Sequence, residues 1–122
     1  MTNMDDESRE LAMAAARVAD GAKGSDIRVL QVGEVLGVTE YFVIVSASNR
    51  RLVRMLIDEI ESKCRESTGR SPVRTEGVRE QQWVLLDYGD VVVHVFIEEL
   101  REFYDIERLY RDVPKVDWAD TP

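Results

Sequence analysis

Three groups of side chains in this sequence are of types that do chemistry elsewhere. His94, the sole histidine, lies in the run Val91-Val92-Val93-His94-Val95-Phe96, with Asp87 and Asp90 just upstream. An imidazole near two carboxylates is raw material for acid–base catalysis or for a metal site. A metal needs further ligands at matching positions, however, and a strand position sets His94 among apolar neighbours, which favours a structural histidine. Asp87 and Asp90 straddle Tyr88-Gly89, where aspartates bond local amides in a tight turn.

The second group, Ser46-Ala47-Ser48-Asn49, sits where a strand meets a helix, the place at which some α/β enzymes hold a nucleophile or a phosphate. Nothing activates the serines, and the glycines of a phosphate loop or nucleophile elbow are missing. Capping of the following helix by Ser48 or Asn49 accounts for them better. The third group is Trp83, Tyr88, Arg101 and Tyr104. Trp, Tyr and Arg are enriched at the energetic centres of protein interfaces, so the chemistry here is recognition. Trp83 begins a strand and shares a face with Leu85, and pattern alone leaves it between core and surface.

The elements that must position these residues can be read from spacing. Asp5, Asp6 and Glu7 suit a helix N-terminus, and Leu11, Ala14, Ala15 and Val18 recur at helical spacing before Gly21 and Gly24, which predicts a helix over 5–20. Residues 27–32 read as a partly buried strand whose alternation is imperfect at Leu30, followed by a connection from Gly33 to Gly37. Tyr41-Phe42-Val43-Ile44-Val45 is apolar on both faces and reads as a central strand covered on both sides. Leu52, Val53, Leu56, Ile57, Ile60 and Cys64 form the broad apolar face of a helix that packs across the sheet.

Ser67 to Glu80 reads as a loop with at most one short strand around Val73 to Thr75. Trp83 to Asp87 and Asp90 to Phe96 form a hairpin turning at Tyr88-Gly89. Glu98 to Arg111 then gives a short, broken helical face of Leu100, Phe103, Tyr104 and Leu109. The division is a domain over residues 1–113 and an acidic C-terminal tail over 114–122, with Trp118 either packed back on the domain or left in solvent.

Composition bounds the function. At 122 residues and 44% hydrophobic, the chain suits one α/β domain. Its 24 acidic and 16 basic residues leave a net charge of −8, which repels phosphate backbones and suits a basic protein partner. A lone Cys64 forms no internal disulfide or cysteine cluster and fits the reducing cytoplasm. The acidic N-terminus is unlike a signal peptide, and no apolar run nears the roughly 18 residues that span a bilayer, so no membrane is expected.

Three blocks then form a recognisable pattern: Val38-Thr39-Glu40-Tyr41-Phe42-Val43-Ile44, Trp83-Val84-Leu85-Leu86-Asp87-Tyr88-Gly89-Asp90-Val91-Val92-Val93-His94, and Arg101-Glu102-Phe103-Tyr104-Asp105-Ile106-Glu107-Arg108-Leu109-Tyr110. From about residue 8 to residue 113 the chain resembles the RsfS/Iojap family of ribosomal silencing factors. It departs in having Leu109-Tyr110 where the family often has Leu-Trp, and Glu40 where Asp is common; both changes keep the chemical character.

The resemblance implies an α/β fold of one domain, with a mixed β-sheet flanked by helices and nucleotidyltransferase-like topology, and a homodimer. It implies no catalysis, no cofactor and no metal. Family members bind the large ribosomal subunit through its protein numbered fourteen and sterically block the small subunit, repressing translation under nutrient limitation. Carried over by position, the contact residues are Trp83, Asp87 and Tyr104, with Tyr88 and Arg101 as further candidates.

Two other classes compete. A nucleotidyltransferase-like nucleotide-binding enzyme needs a Gly-Ser phosphate grip and carboxylates spaced for magnesium, whereas this chain offers Ala47-Ser48 and an Asp87–Asp90 pair parted by a turn. A direct ribosomal-RNA binder would use Arg50, Arg51 and Arg54, which fit a solvated helix face as well; no sequence-specific nucleic-acid contact is expected.

Overall fold

The strand Tyr41–Ala47 (β2) is buried at every position, as its two-sided apolar pattern predicts. A computed structural model, describing residues 4–119, places it inside a five-stranded mixed sheet. The other strands are β1 (Ser25–Gln31), β3 (Arg74–Glu76), β4 (Trp83–Asp87) and β5 (Val91–Ile97), in the order β1-β2-β5-β4-β3. β2 pairs antiparallel with β1 and parallel with β5, while β5–β4 and β4–β3 are antiparallel. A parallel pair cannot be closed by a tight turn, and a long crossover containing a helix separates β2 from β5.

Helices α1 (Met4–Gly21) and α3 (Arg50–Thr68) cover one face of the sheet. The stripe of α1 that reaches full burial is Leu11, Ala12, Ala15, Ala16 and Ala19, while Ala14 and Val18, expected on the core face, sit at its margin. Alanines on the buried side let α1 lie close against α3 and the strands. In α3 the expected face is buried at Val53, Leu56, Ile57, Ile60 and Cys64, with Leu52 at its edge. Asn49 is the residue that caps it, its Oδ1 accepting from the Leu52 amide at 2.8 Å.

Leu30 breaks the alternation of β1 because both faces of the sheet are covered. Val29 packs toward α1 and α3, while Leu30 joins Phe42, Ile44 and Phe96 on the opposite face. The connection from Gly33 holds a single helical turn, α2 (Gly33–Leu36), closed by Gly37. The opposite face is covered by α4 (Glu98–Tyr104) and a 3-10 turn (Ile106–Tyr110). The two are parted at Asp105, whose φ of 44° lies in the left-handed region, so the predicted break has a definite position.

Past the 3-10 turn the chain returns to the domain. The Gln31 amide donates to the Pro114 carbonyl at 2.9 Å, the Val116 amide to the Val29 carbonyl at 2.9 Å, and the Trp118 indole to the Ile27 carbonyl at 3.2 Å. Residues 114–118 thus lie along the outer edge of β1, with Val116 in the core, and Trp118 packs on the domain.

The β4–β5 turn ties the distant parts together. Asp87 Oδ1 accepts the Gly89 amide at 2.8 Å, and Gly89 adopts a φ of 92°. Arg70, just past α3, donates to both oxygens of Asp90 at 2.9 and 2.6 Å, and Ser8 of α1 donates to the same carboxylate. Burial pushes the Asp90 carboxyl up, but the hydrogen bonds from Arg70 and Ser8 outweigh it and hold the group below its ordinary value. Stability from a depressed carboxyl is fully present above the unfolded-state pKa, about 3.9, and is lost as pH falls through the folded one. Asp90→Asn is therefore less stable than the native chain at pH 7, and the gap between them narrows below about pH 4. Urea unfolding at stepped pH measures this.

Candidate partner-binding surface

β4 sends its side chains alternately to the two faces of the sheet. Val84 and Leu86 enter the core under α1 and α3, while Trp83, Leu85 and Asp87 point to the opposite face. There Trp83 pairs across the ladder with Phe96 and stacks on it, ring centroids 4.7 Å apart. Tyr104, at the end of α4, closes on Trp83 at 5.1 Å, and Phe103 stands edge-on to Tyr104 at 5.0 Å. Tyr104 is 50% exposed, and Phe103 and Leu109 are each 77% exposed. The result is an aromatic patch rooted in the sheet and open at its rim; Glu99, Glu102 and Asp105 of the same segment are exposed.

The helical face of Leu100, Phe103, Tyr104 and Leu109 read from the sequence over Glu98 to Arg111 is broken as expected, and Phe103 and Leu109 on it are exposed. α4 has only seven residues, and the turn at Asp105 carries Leu109 onto a different axis, so Phe103 and Leu109 point outward while Leu100 packs inward. Apolar spacing marks a face but not whether this chain or another covers it.

The five residues singled out in the sequence fall in different places. Trp83 and Tyr104 are brought together. Asp87 shares their face of β4 but lies at its far end, about 13 Å along the strand by extended-chain geometry, where Arg74 donates to its Oδ2 at 3.2 and 3.0 Å. Arg101 is 9% exposed. Its Nε and Nη2 grip Glu107 at 2.8 and 3.1 Å, and its Nη1 donates to Ser46 Oγ of β2 at 2.7 Å, so it fastens α4 and the 3-10 turn to the sheet. Tyr88 is 3% exposed and belongs to the core under α1 and α3, where burial pushes its phenol up. The two-residue period already contains that placement, because Val84, Leu86 and Tyr88 share one parity and Trp83, Leu85 and Asp87 the other.

His94 lies beneath the patch rather than in it. It is 6% exposed, its ring is set edge-on to Phe42 at 4.6 Å, and burial lowers its pKa to about 3, so the imidazole is neutral at physiological pH. Asp87 and Asp90 do not face one another as a pair: each is engaged by its own arginine. Among the described residues no three or more His, Cys, Asp or Glu side chains are grouped to hold a metal ion, and no helix is long and apolar enough to cross a membrane.

Fold and surface together define a mixed-sheet α/β domain with one face sealed by helices and an aromatic patch at the margin of the other. Residues 5–122 match the family model described as ribosomal silencing factor during starvation. The chain is 34% identical over 109 residues to the ribosomal silencing factor RsfS of Bacillus subtilis, covering 89% of this chain and 92% of that one. It is 36% identical over 116 residues to the chloroplastic Iojap protein of Zea mays, covering 93% of this chain but only 49% of that longer one. A crystal structure of a Chromobacterium violaceum protein superposes with a TM-score of 0.81 at 31% identity, over 93% of this chain and 92% of the other. The chain belongs to the RsfS family of ribosomal silencing factors.

Gly77 controls how the loop before β4 meets Trp83. Its φ is 80°, and a Cβ there would stand 2.1 Å from the Trp83 carbonyl oxygen. Gly77→Ala adds left-handed strain to that collision and lowers stability by more than about 1 kcal/mol, read as a lower urea midpoint.

Proposed function

We propose that this protein binds the large ribosomal subunit through its protein numbered fourteen and sterically blocks the small subunit, repressing translation under nutrient limitation. The observation that carries this reading is the Trp83–Tyr104 pair, half open at the surface and continued by the exposed Phe103. An isolated chain leaves such a patch in water only at a cost, and large aromatic groups with a polar rim are what interface centres are made of. The net charge of −8 suits a basic partner, guiding approach while the aromatic centre sets the dissociation rate. The family membership supports the same assignment, because the Bacillus subtilis relative is named a ribosomal silencing factor.

In this reading the chain is a cytoplasmic, non-enzymatic homodimer whose contact residues are Trp83, Tyr104 and Asp87. Arg101 and Tyr88 serve from beneath, Arg101 by holding α4 in place and Tyr88 by filling the core behind the hairpin turn. The nucleotide-binding alternative is weakened by the occupation of Asp87 and Asp90, whose carboxylates are held by Arg74 and Arg70.

Purified large and small subunits mixed with saturating protein and run on a density gradient test the function. The expected result is a loss of joined ribosomes, with the protein cosedimenting with large subunits; normal joining at saturation rejects the silencing role. Trp83→Ala weakens docking by about 2 kcal/mol, roughly thirtyfold in Kd. A folded variant that binds as tightly as the native chain removes Trp83 from the site.

A further inference from the structure

A polar contact ties the aromatic patch to the layer beneath it. The Trp83 indole Nε1 donates to His94 Nδ1 at 3.2 Å. The other imidazole nitrogen, Nε2, is buried and has no hydrogen-bond partner among the described residues. For Nδ1 to accept, the ring must be neutral with its hydrogen on Nε2, so the contact with Trp83 is made at the expense of leaving an N–H unpaired in the core. Around the ring stand Phe42, Phe96 and Trp83, aromatic neighbours among which a leucine or phenylalanine would pack without an orphaned donor. Burial keeps the imidazole in the neutral form that can accept. What histidine adds over an apolar residue at this position is the acceptor aimed at the indole.

That acceptor selects one orientation of Trp83. An indole stacked on Phe96 satisfies its ring by packing, but packing alone leaves two flipped placements of the ring open, and only one of them turns Nε1 to His94. The same orientation sets the ring against Tyr104. We infer that His94 is a positioning residue, whose Nδ1 locks the Trp83 indole in the orientation that builds the Trp83–Tyr104 surface before a partner arrives. The inference rests on the proposal that this surface docks on the large subunit. A side chain ordered in advance loses less freedom on binding, and the gain is about fivefold to tenfold in affinity.

The test compares His94→Leu, which removes the acceptor, with His94→Asn, whose amide oxygen takes nearly the place of Nδ1. In the full-length 15N-labelled chain the Trp83 Nε1–H resonance is identified by its loss in Trp83→Phe, and its exchange with solvent is followed by NMR. Affinity for isolated large subunits and thermal midpoints are measured on the same samples. The expected result is a slowly exchanging indole N–H and native affinity in His94→Asn. In folded His94→Leu the indole N–H exchanges faster and binding is about fivefold to tenfold weaker. Should the leucine variant not fold, His94→Gln substitutes for it, since its oxygen falls nearer to Nε2 and leaves the indole without a partner.

A protected indole N–H in the variant lacking the acceptor overturns the inference. So does a released indole with undiminished affinity while Trp83→Ala binds weakly. Failure of the docking proposal itself has a different signature, namely Trp83→Ala binding as well as the native chain, and it removes the surface that His94 is inferred to build.

Discussion

The parallel pairing of β2 with β5 is the constraint on which the rest of the molecule depends. From Tyr41 opposite Val91 to Ala47 opposite Ile97 the two strands run in register over their whole length, with a neighbour on each outer side. Parallel strands buried between neighbours need cover on both faces, because alternate residues of each point up and down and nearly all are apolar, Ser46 and His94 being the exceptions. α1 and α3 supply the cover on one face with aliphatic side chains and alanines. The other face receives short elements, α4, the 3-10 turn and single side chains such as Leu36 and Val113, which leave its margin open. The incomplete cover leaves Trp83 and Tyr104 at a margin where a second molecule can finish the packing.

The two faces differ in how their polar groups are handled. On the helical side an ion-pair cluster gathers at the turn, where Asp90 joins Arg70 and Ser8. On the other side polar contacts run through the layer itself: Ser46 to Arg101, Arg101 to Glu107, and Trp83 to His94. A thin layer of seven helical residues has little apolar area with which to hold its own position. Directed bonds from a buried guanidinium offset that lack, since charge-assisted bidentate contacts fix geometry more strongly than neutral ones. The placement of Phe103 and Tyr104 is accordingly a consequence of Arg101, although Arg101 presents little surface of its own.

How much of this was legible in the sequence varies with the kind of signal. The β4–β5 hairpin, the doubly buried β2 and the helix from Arg50 were legible because each carries a pattern of one period bounded by a turn residue or a cap. The position of Tyr88 was legible in principle from parity with Val84 and Leu86, yet its aromatic type drew the reading toward an interface. The single turn of α2 and the left-handed Asp105 left no periodic trace, so the outward aim of Phe103 and Leu109 could not be read. The pairing of Trp83 with His94 depends on the register of β4 against β5, which places Leu85 opposite His94 and sets Trp83 diagonally across; register shows only when the hairpin is built.

The edges of the sheet bear on where association can occur. An open edge offers unpaired amides and carbonyls to any other strand. Along β1 those groups are met by residues 114–116 of the same chain, through the bonds at Gln31 and Val29. At the other end β3 is only three residues long, and Arg74, Thr75 and Glu76 are all exposed, which makes it a short and charged template for pairing. One edge is occupied and the other blunted, so strand addition is disfavoured at both. Under the proposed function, docking at the aromatic patch beside α4 would proceed through side chains such as Trp83 and Tyr104 rather than through the backbone of a sheet edge.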